Sequence, residues 1–227
     1  MPETLRINEI FYSIQGETTR MGRPCVFVRL SGCHLRCTYC DTEYAFKEGE
    51  TRRIDEIVEE VLAHPCRHVT VTGGEPLLQA RVHVLMKELC DAGCDVAIET
   101  SGACDIGVCD ARVARILDVK TPSSGEHERM EWSNIELLTA RDEVKFVIGD
   151  RGDYEYAVRV MREHGLGDRA GAVLFAPVFE QARGLEIEGH PGLALATLSG
   201  WVLEDGLDVM VQAQLHKFIW APGTRGV

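Results

Sequence analysis

Apolar residues along the chain follow two periods. Short runs rich in β-branched residues at 25–30, 68–72, 95–99, 116–120, 144–148, 172–176 and 209–212 read as strands. Between the first two, Ile54, Ile57, Val58, Val61 and Leu62 recur at helical spacing, which predicts an amphipathic helix over 53–64. Further helices are expected over 77–89, with Gly93 placed to end it, over 153–164, ending at Gly165, and over 193–203. Strand and helix alternate throughout, which implies right-handed crossovers and a parallel sheet. Six or seven strands with few long helices predict an α/β fold, a partial (open) β/α barrel of mainly parallel strands rather than a complete eightfold one. The chain carries no internal repeat and no low-complexity tract.

In such folds ligands gather at the C-terminal ends of the strands. Three unusual segments fall there. A cysteine-rich stretch follows the strand at 25–30, Gly73-Gly74-Glu75-Pro76 follows 68–72, and Thr100-Ser101-Gly102 follows 95–99. Loops after three parallel strands converge on one mouth, so a single site is expected.

Composition narrows the setting. The 227 residues are 45% hydrophobic and 26% charged, which is ordinary for a globular protein. No run approaches the roughly 18 apolar residues that a membrane span needs, and the first residues lack the pattern of an export signal. A cytoplasmic protein is expected. The formal charge of −12 repels phosphate backbones and anionic membranes, so neither nucleic acid nor membrane is the expected partner. Nine cysteines cannot pair completely within one chain, and a reducing compartment disfavours disulfides. Metal ligation is the better reading of any that cluster.

Cys33, Cys37 and Cys40 cluster, spaced C-x3-C-x2-C on one short loop with Tyr39 before the last. Four-iron clusters usually take four cysteine ligands, so three would leave one iron open. An open iron can take the amino and carboxylate groups of S-adenosyl-L-methionine, and Tyr39 can lie near its adenine. The bland alternative is a structural zinc, closed by His34 or by a distant cysteine among Cys66, Cys90, Cys94, Cys104 and Cys109. Cys104 and Cys109, spaced C-x4-C, could hold a second metal.

This loop resembles that of the radical S-adenosylmethionine superfamily. The flanks narrow the resemblance. Phe11 to Glu17, Gly22 to Cys33, Cys40-Asp41-Thr42, Thr72 to Pro76, Glu99 to Gly102, Asp118 to Pro122 and Gln214 to Lys217 together are similar to the 7-carboxy-7-deazaguanine synthases, over nearly the whole chain. The resemblance implies one radical SAM domain over 1–227, with an N-terminal substrate-binding extension over 1–24 and a substrate-proximal segment over 205–227. It implies a [4Fe–4S] cluster, S-adenosyl-L-methionine and Mg2+ as cofactors. The implied reaction contracts 6-carboxy-5,6,7,8-tetrahydropterin to 7-carboxy-7-deazaguanine and ammonia through a 5′-deoxyadenosyl radical, feeding queuosine and other 7-deazapurines. An electron donor such as flavodoxin or ferredoxin and a homodimer are implied partners. A glycyl-radical activating enzyme, which acts on a protein, shares the cluster loop and is the competing reading.

The resemblance also assigns roles, each with a plainer reading beside it. Arg29 would bind the substrate carboxylate, a task suited to a bidentate guanidinium; otherwise it makes a surface ion pair. Ile14, Gln15, Gly16 and Glu17 would read the pterin edge through an amide, backbone groups and a carboxylate; otherwise they form a solvated turn. Thr42 would ligate Mg2+, or cap a helix. Gly73 and Gly74 would let backbone approach the methionine end of the cofactor, with Glu75 acting on its amino group or bracing the loop; a strand-to-helix turn with Pro76 in the first position is the plain alternative. Thr100 and His216 would touch substrate, and Gly102 the adenosylmethionine. Lys120, Thr121 and Pro122 would border the ribose, where many relatives read Ser-Pro-Lys instead. The terminal carboxylate, which contacts substrate in shorter relatives, here belongs to Val227.

Overall fold

The computed structural model describes residues 3–181 and 190–227. Nine strands form one sheet. In chain order these are β1 (Thr4–Ile14), β2 (Pro24–Leu30), β3 (Glu50–Arg53), β4 (His68–Gly73), β5 (Asp95–Thr100), β6 (Ala114–Asp118), β7 (Glu143–Ile148), β8 (Ala172–Pro177) and β9 (Met210–Val211). Their spatial order is β3-β1-β2-β4-β5-β6-β7-β8-β9. From β2 to β9 every pairing is parallel, while β1 and β3 add an antiparallel edge. The sheet curls without closing, so the fold is the expected open α/β barrel.

The helices are α1 (Ile54–Ala63), α2 (Val82–Asp91), α3 (Arg151–Glu163), α4 (Leu166–Arg169), α5 (Leu195–Asp205) and α6 (His216–Ile219). No helix among the described residues is long and apolar enough to cross a membrane. All seven expected strands form, with shifted ends: the 116–120 strand runs from Ala114 to Asp118 because Ala114 pairs with Ala97. The expected helix over 77–89 breaks in two, a 3-10 turn at Pro76–Leu78 followed by α2. Gln79 causes the break. Its side-chain amide accepts from Arg6 N at 2.8 Å and donates to Arg6 O and Ser31 O, which holds its backbone extended. Gly93 ends α2 at φ +84°, where Cys94 N reaches back to Leu89 O. Helix α3 starts at Arg151, two residues early, because the Asp150 carboxylate caps Asp153 N. Helix α5 starts late because Leu193 N bonds Val178 O instead.

Sequence patterning missed β1, β3, α4 and α6. Strand β1 alternates only over Leu5 and Ile7 before a bulge between Ile7 and Glu9 resets its register. Strand β3, a polar edge paired only with β1, carries no apolar signal.

Alternation within the parallel strands creates the site. A buried parallel strand is usually apolar on both faces. Here Val69 and Val71 of β4, Val96 and Ile98 of β5, and Val144, Phe146 and Ile148 of β7 point outward and are fully buried under helices. Their neighbours Thr70, Thr72, Glu99 and Lys145 point inward. The barrel interior is thus polar, and it opens toward the C-terminal strand ends.

Candidate active site

A cavity of about 640 Å3 fills that mouth. At one end lies the cysteine loop. Its Gly32 N bonds Ala45 O and its Cys40 N bonds Cys37 O at 3.1 Å, forming a tight turn. The segment after β6 props it: Thr38 N bonds Ser124 O, Thr38 Oγ1 bonds Ser123 O at 2.6 Å, and Arg36 N donates to the Glu126 carboxylate. Gly73, at φ +153°, and Gly74 let β4 end flush against this loop; a Cβ on Gly74 would strike Gly32 O and Cys33 Cβ.

Cys33, Cys37 and Cys40 are free, half-buried and share this cavity wall. Burial pushes all three thiols up, Cys40 to about 11. Thiolates form here only against a compensating positive charge, which Lys120 supplies in part and a metal centre would complete. Among the described residues no three Cys, His, Asp or Glu side chains converge on one metal ion, at Cys104 and Cys109 or elsewhere. A cubane attaches each thiolate to a different iron and so takes ligands standing further apart. The donor set fits three-cysteine ligation of a four-iron cluster.

The far end of the cavity is charged. Arg29, on β2, donates its Nε to Glu9 Oε1 at 2.8 Å and lies between the Phe11 and Tyr44 rings. Among the described residues its terminal nitrogens make no hydrogen bond within the chain, so the fork remains for an anion. On the floor Lys145 bonds Glu17 Oε2 at 2.7 Å, and Lys120 bonds Asp118 Oδ2 at 2.9 Å. Burial opposes the Glu17 charge, but Lys145 and the Gln214 amide outweigh it and hold the carboxyl down at about 2. Burial pushes Glu99 the other way, up. His216 is pushed down by burial, so its imidazole favours the neutral form.

Ile14, Gln15, Gly16, Glu17, Arg29, Thr42, Gly73, Gly74, Thr100, Lys120 and His216 all line this cavity with the three cysteines, as do Tyr39 and Val227. Two side chains there are otherwise engaged than expected. The Gln15 amide bonds Thr70 Oγ1 and accepts from Glu17 N, and both Glu17 oxygens are held by Lys145 and Gln214. The backbone of the turn is partly engaged too, since Gln15 N bonds Arg23 O, Leu215 N bonds Gly16 O and Glu17 N bonds the Gln15 side chain, so the turn reaches the cavity as a braced surface rather than as the free amide and carboxylate the sequence suggested.

Four expected contacts stand behind the wall. Glu75 is fully buried and accepts from Leu77 N, Thr100 Oγ1, Ser101 N and Ser101 Oγ, so it braces two loops. Gly102 packs against Met130 and Leu117. Thr121 is fully buried, donates to Val147 O and stands 3.2 Å from the Tyr39 hydroxyl, and Pro122 opens the 3-10 turn that carries Ser123. Thr42 stands at the N-cap of the 3-10 turn Glu43–Phe46, but its hydroxyl donates to Asp41 Oδ1 at 2.9 Å and makes no cap bond to that turn. The sequence reading passed over Glu9 and Lys145, and it quoted Asp41, Glu99 and Asp118 within the resembling segments without giving them a role. The signal for three of them was present: a charge inside an otherwise apolar strand.

Comparison with known proteins places this geometry. Residues 27–178 match the Radical SAM superfamily. The 7-carboxy-7-deazaguanine synthase of Koribacter versatilis is 48% identical, covering 98% of this chain and 100% of its own length. That of Chlorobaculum tepidum is 44% identical over 98% of this chain and 97% of its own. The crystal structure of QueE from Escherichia coli shares the fold with a TM-score of 0.75 at 21% identity, covering 94% of this chain and 95% of that one.

Proposed function

The chain belongs to the radical SAM superfamily and, within it, to the 7-carboxy-7-deazaguanine synthases, and on that premise we propose that it contracts 6-carboxy-5,6,7,8-tetrahydropterin to 7-carboxy-7-deazaguanine and ammonia. One observation carries the reading: a single cavity joins three cluster-spaced thiols to a guanidinium fork and the braced turn at 14–17. Cys33, Cys37 and Cys40 would hold the [4Fe–4S] cluster, with S-adenosyl-L-methionine beside it against Gly73, Gly74 and Lys120. When bound, this pair supplies the one-electron cleavage that generates a hydrogen-abstracting radical.

The chain's own residues do the rest. Arg29 takes the pterin carboxylate through its free fork, held at the correct angle by Glu9. The backbone of Ile14 to Glu17 meets the mixed donor and acceptor edge of the ring. Thr100 and the neutral His216 imidazole meet it from β5 and α6. Thr42, with its hydroxyl already turned to the Asp41 carboxylate, would supply an oxygen ligand to Mg2+. The segment 221–227 covers the Arg29 end and excludes water, with Val227 on the cavity wall. A flavodoxin- or ferredoxin-class electron donor, a homodimer and a cytoplasmic setting accompany this reading. The same wall disfavours a glycyl-radical activase, whose protein substrate needs an open approach.

The test is anaerobic turnover of the reconstituted enzyme with pterin, S-adenosyl-L-methionine, Mg2+ and reductant. Formation of the deazaguanine with stoichiometric ammonia is expected. Cofactor cleavage with the pterin left intact would sink the assignment. Omitting Mg2+ is expected to lower turnover without reducing the iron content.

A further inference from the structure

Lys145 stands at the centre of a strand where a parallel sheet ordinarily carries no charge. The residues on either side, Val144 and Phe146, are fully buried outward, while Lys145 points into the barrel and is itself 8% exposed. Its ammonium donates to Glu17 Oε2 at 2.7 Å and lies 3.8 Å from Asp118 Oδ2. The other Glu17 oxygen accepts from Gln214 Nε2 at 2.9 Å. Three distant parts of the chain therefore meet on one carboxylate: the β1–β2 connection, β7 and the segment leading into α6.

The connection they hold is a strained one. Thr18 takes φ +66°, a left-handed backbone that a β-branched residue adopts only when its surroundings impose it. Here the Gln212 amide grips it on both sides, accepting from Thr18 N at 3.0 Å and donating to Thr18 O at 2.6 Å. Thr19 bonds Glu143 of β7. Leu215 N bonds Gly16 O at 2.9 Å, and the His216 ring occupies the place a Gly16 side chain would fill. The 14–17 backbone and His216 thus form one unit, and its only charged anchor to the sheet among the described residues is Lys145.

We propose that Lys145 is a positioning residue for the pterin: by holding the Glu17 carboxylate against Gln214, it fixes the joint surface that the packed 14–17 turn and His216 present to the flat ring. This rests on the reading that these groups hold the pterin. Lys145 acts through Glu17 and takes no part in cofactor cleavage at the cysteine end.

Three variants of the reconstituted holoenzyme test this. Lys145→Met leaves a buried carboxylate short of its charged partner and is expected to raise the pterin KM about 10- to 100-fold. Its kcat should stay within about twofold of wild type, and its rate of cofactor cleavage without pterin should not change. Lys145→Arg, which keeps the charge, should recover most of the KM. Glu17→Gln with Lys145→Met removes both charges and should recover the thermal midpoint while the KM stays high, which separates positioning from folding. A wild-type KM in Lys145→Met overturns the inference. So does a parallel fall of kcat, KM and thermal midpoint that Lys145→Arg does not rescue, since the lysine would then serve only the fold. A wild-type enzyme that leaves the pterin untouched overturns the underlying assignment, and this inference with it.

Discussion

Glu75 and Glu17 show how a residue's role diverges from its place in a motif. Glu75 sits in the most recognisable tetrapeptide of the chain, yet it is fully buried and serves four donors from the loops after β4 and β5. Removing it strands those donors, so Glu75→Ala is expected to cost about 3 kcal/mol in apoprotein stability, measured by urea unfolding. An unchanged midpoint would place the residue at the cofactor instead. Glu17 is ionised because Lys145 lies beside it, 128 positions away in sequence. No local pattern announces such a partner, which is why the carboxylate was read as free to meet a ligand. Its folded-state value, held at about 2, lies below the ordinary 4.5. The stability this confers is therefore fully present above about pH 4.5 and lost as pH falls toward 2. The stability gap between wild type and Glu17→Gln should narrow over that window; a gap independent of pH would show that the charge is not the cause.

Elements were legible where packing is local and periodic. The seven parallel strands and the helices α1, α2, α3 and α5 could be read because each buries an outward face against its sequence neighbours. The 77–89 helix was misread because Gln79 leaves the helix to bond β1, an interaction that no helical periodicity contains. The cysteine loop is set from outside itself, by Ser123 and Ser124 on one flank and by the glycines of β4 on the other. Gly74→Ala tests this dependence. The added methyl must displace Gly32 and Cys33, so the variant should reconstitute with much less iron and weaker visible absorption while its far-ultraviolet circular dichroism persists. Full iron loading would show that the loop tolerates the shift and is less closely fitted than the geometry implies.

On the scale of the whole molecule the open barrel solves one problem and creates another. Leaving the sheet unclosed gives a polar interior large enough for ligands, but it also lets water reach them. Two segments of the chain close the gap. The β1–β2 connection crosses to β7 and to Gln212 just after β9, and the C-terminal segment folds back over Tyr44 and Glu48, ahead of β3. There Arg225 pairs with Glu48 at 2.8 Å and stacks on Tyr44 at 3.7 Å, over the same tyrosine whose hydroxyl bonds Glu9 beside Arg29. These contacts are largely exposed and add little stability, since a rim ion pair is worth at most about 1 kcal/mol. Their consequence lies in the site, where they cover the anion-binding fork. Deleting residues 221–227 should leave the thermal midpoint nearly unchanged and lower kcat/KM for the pterin by about tenfold, with cofactor cleavage less tightly coupled to product. If kinetics and coupling survive the deletion, the segment is an appendage, and the cover over Arg29 must come from the substrate's own fit or from a second subunit.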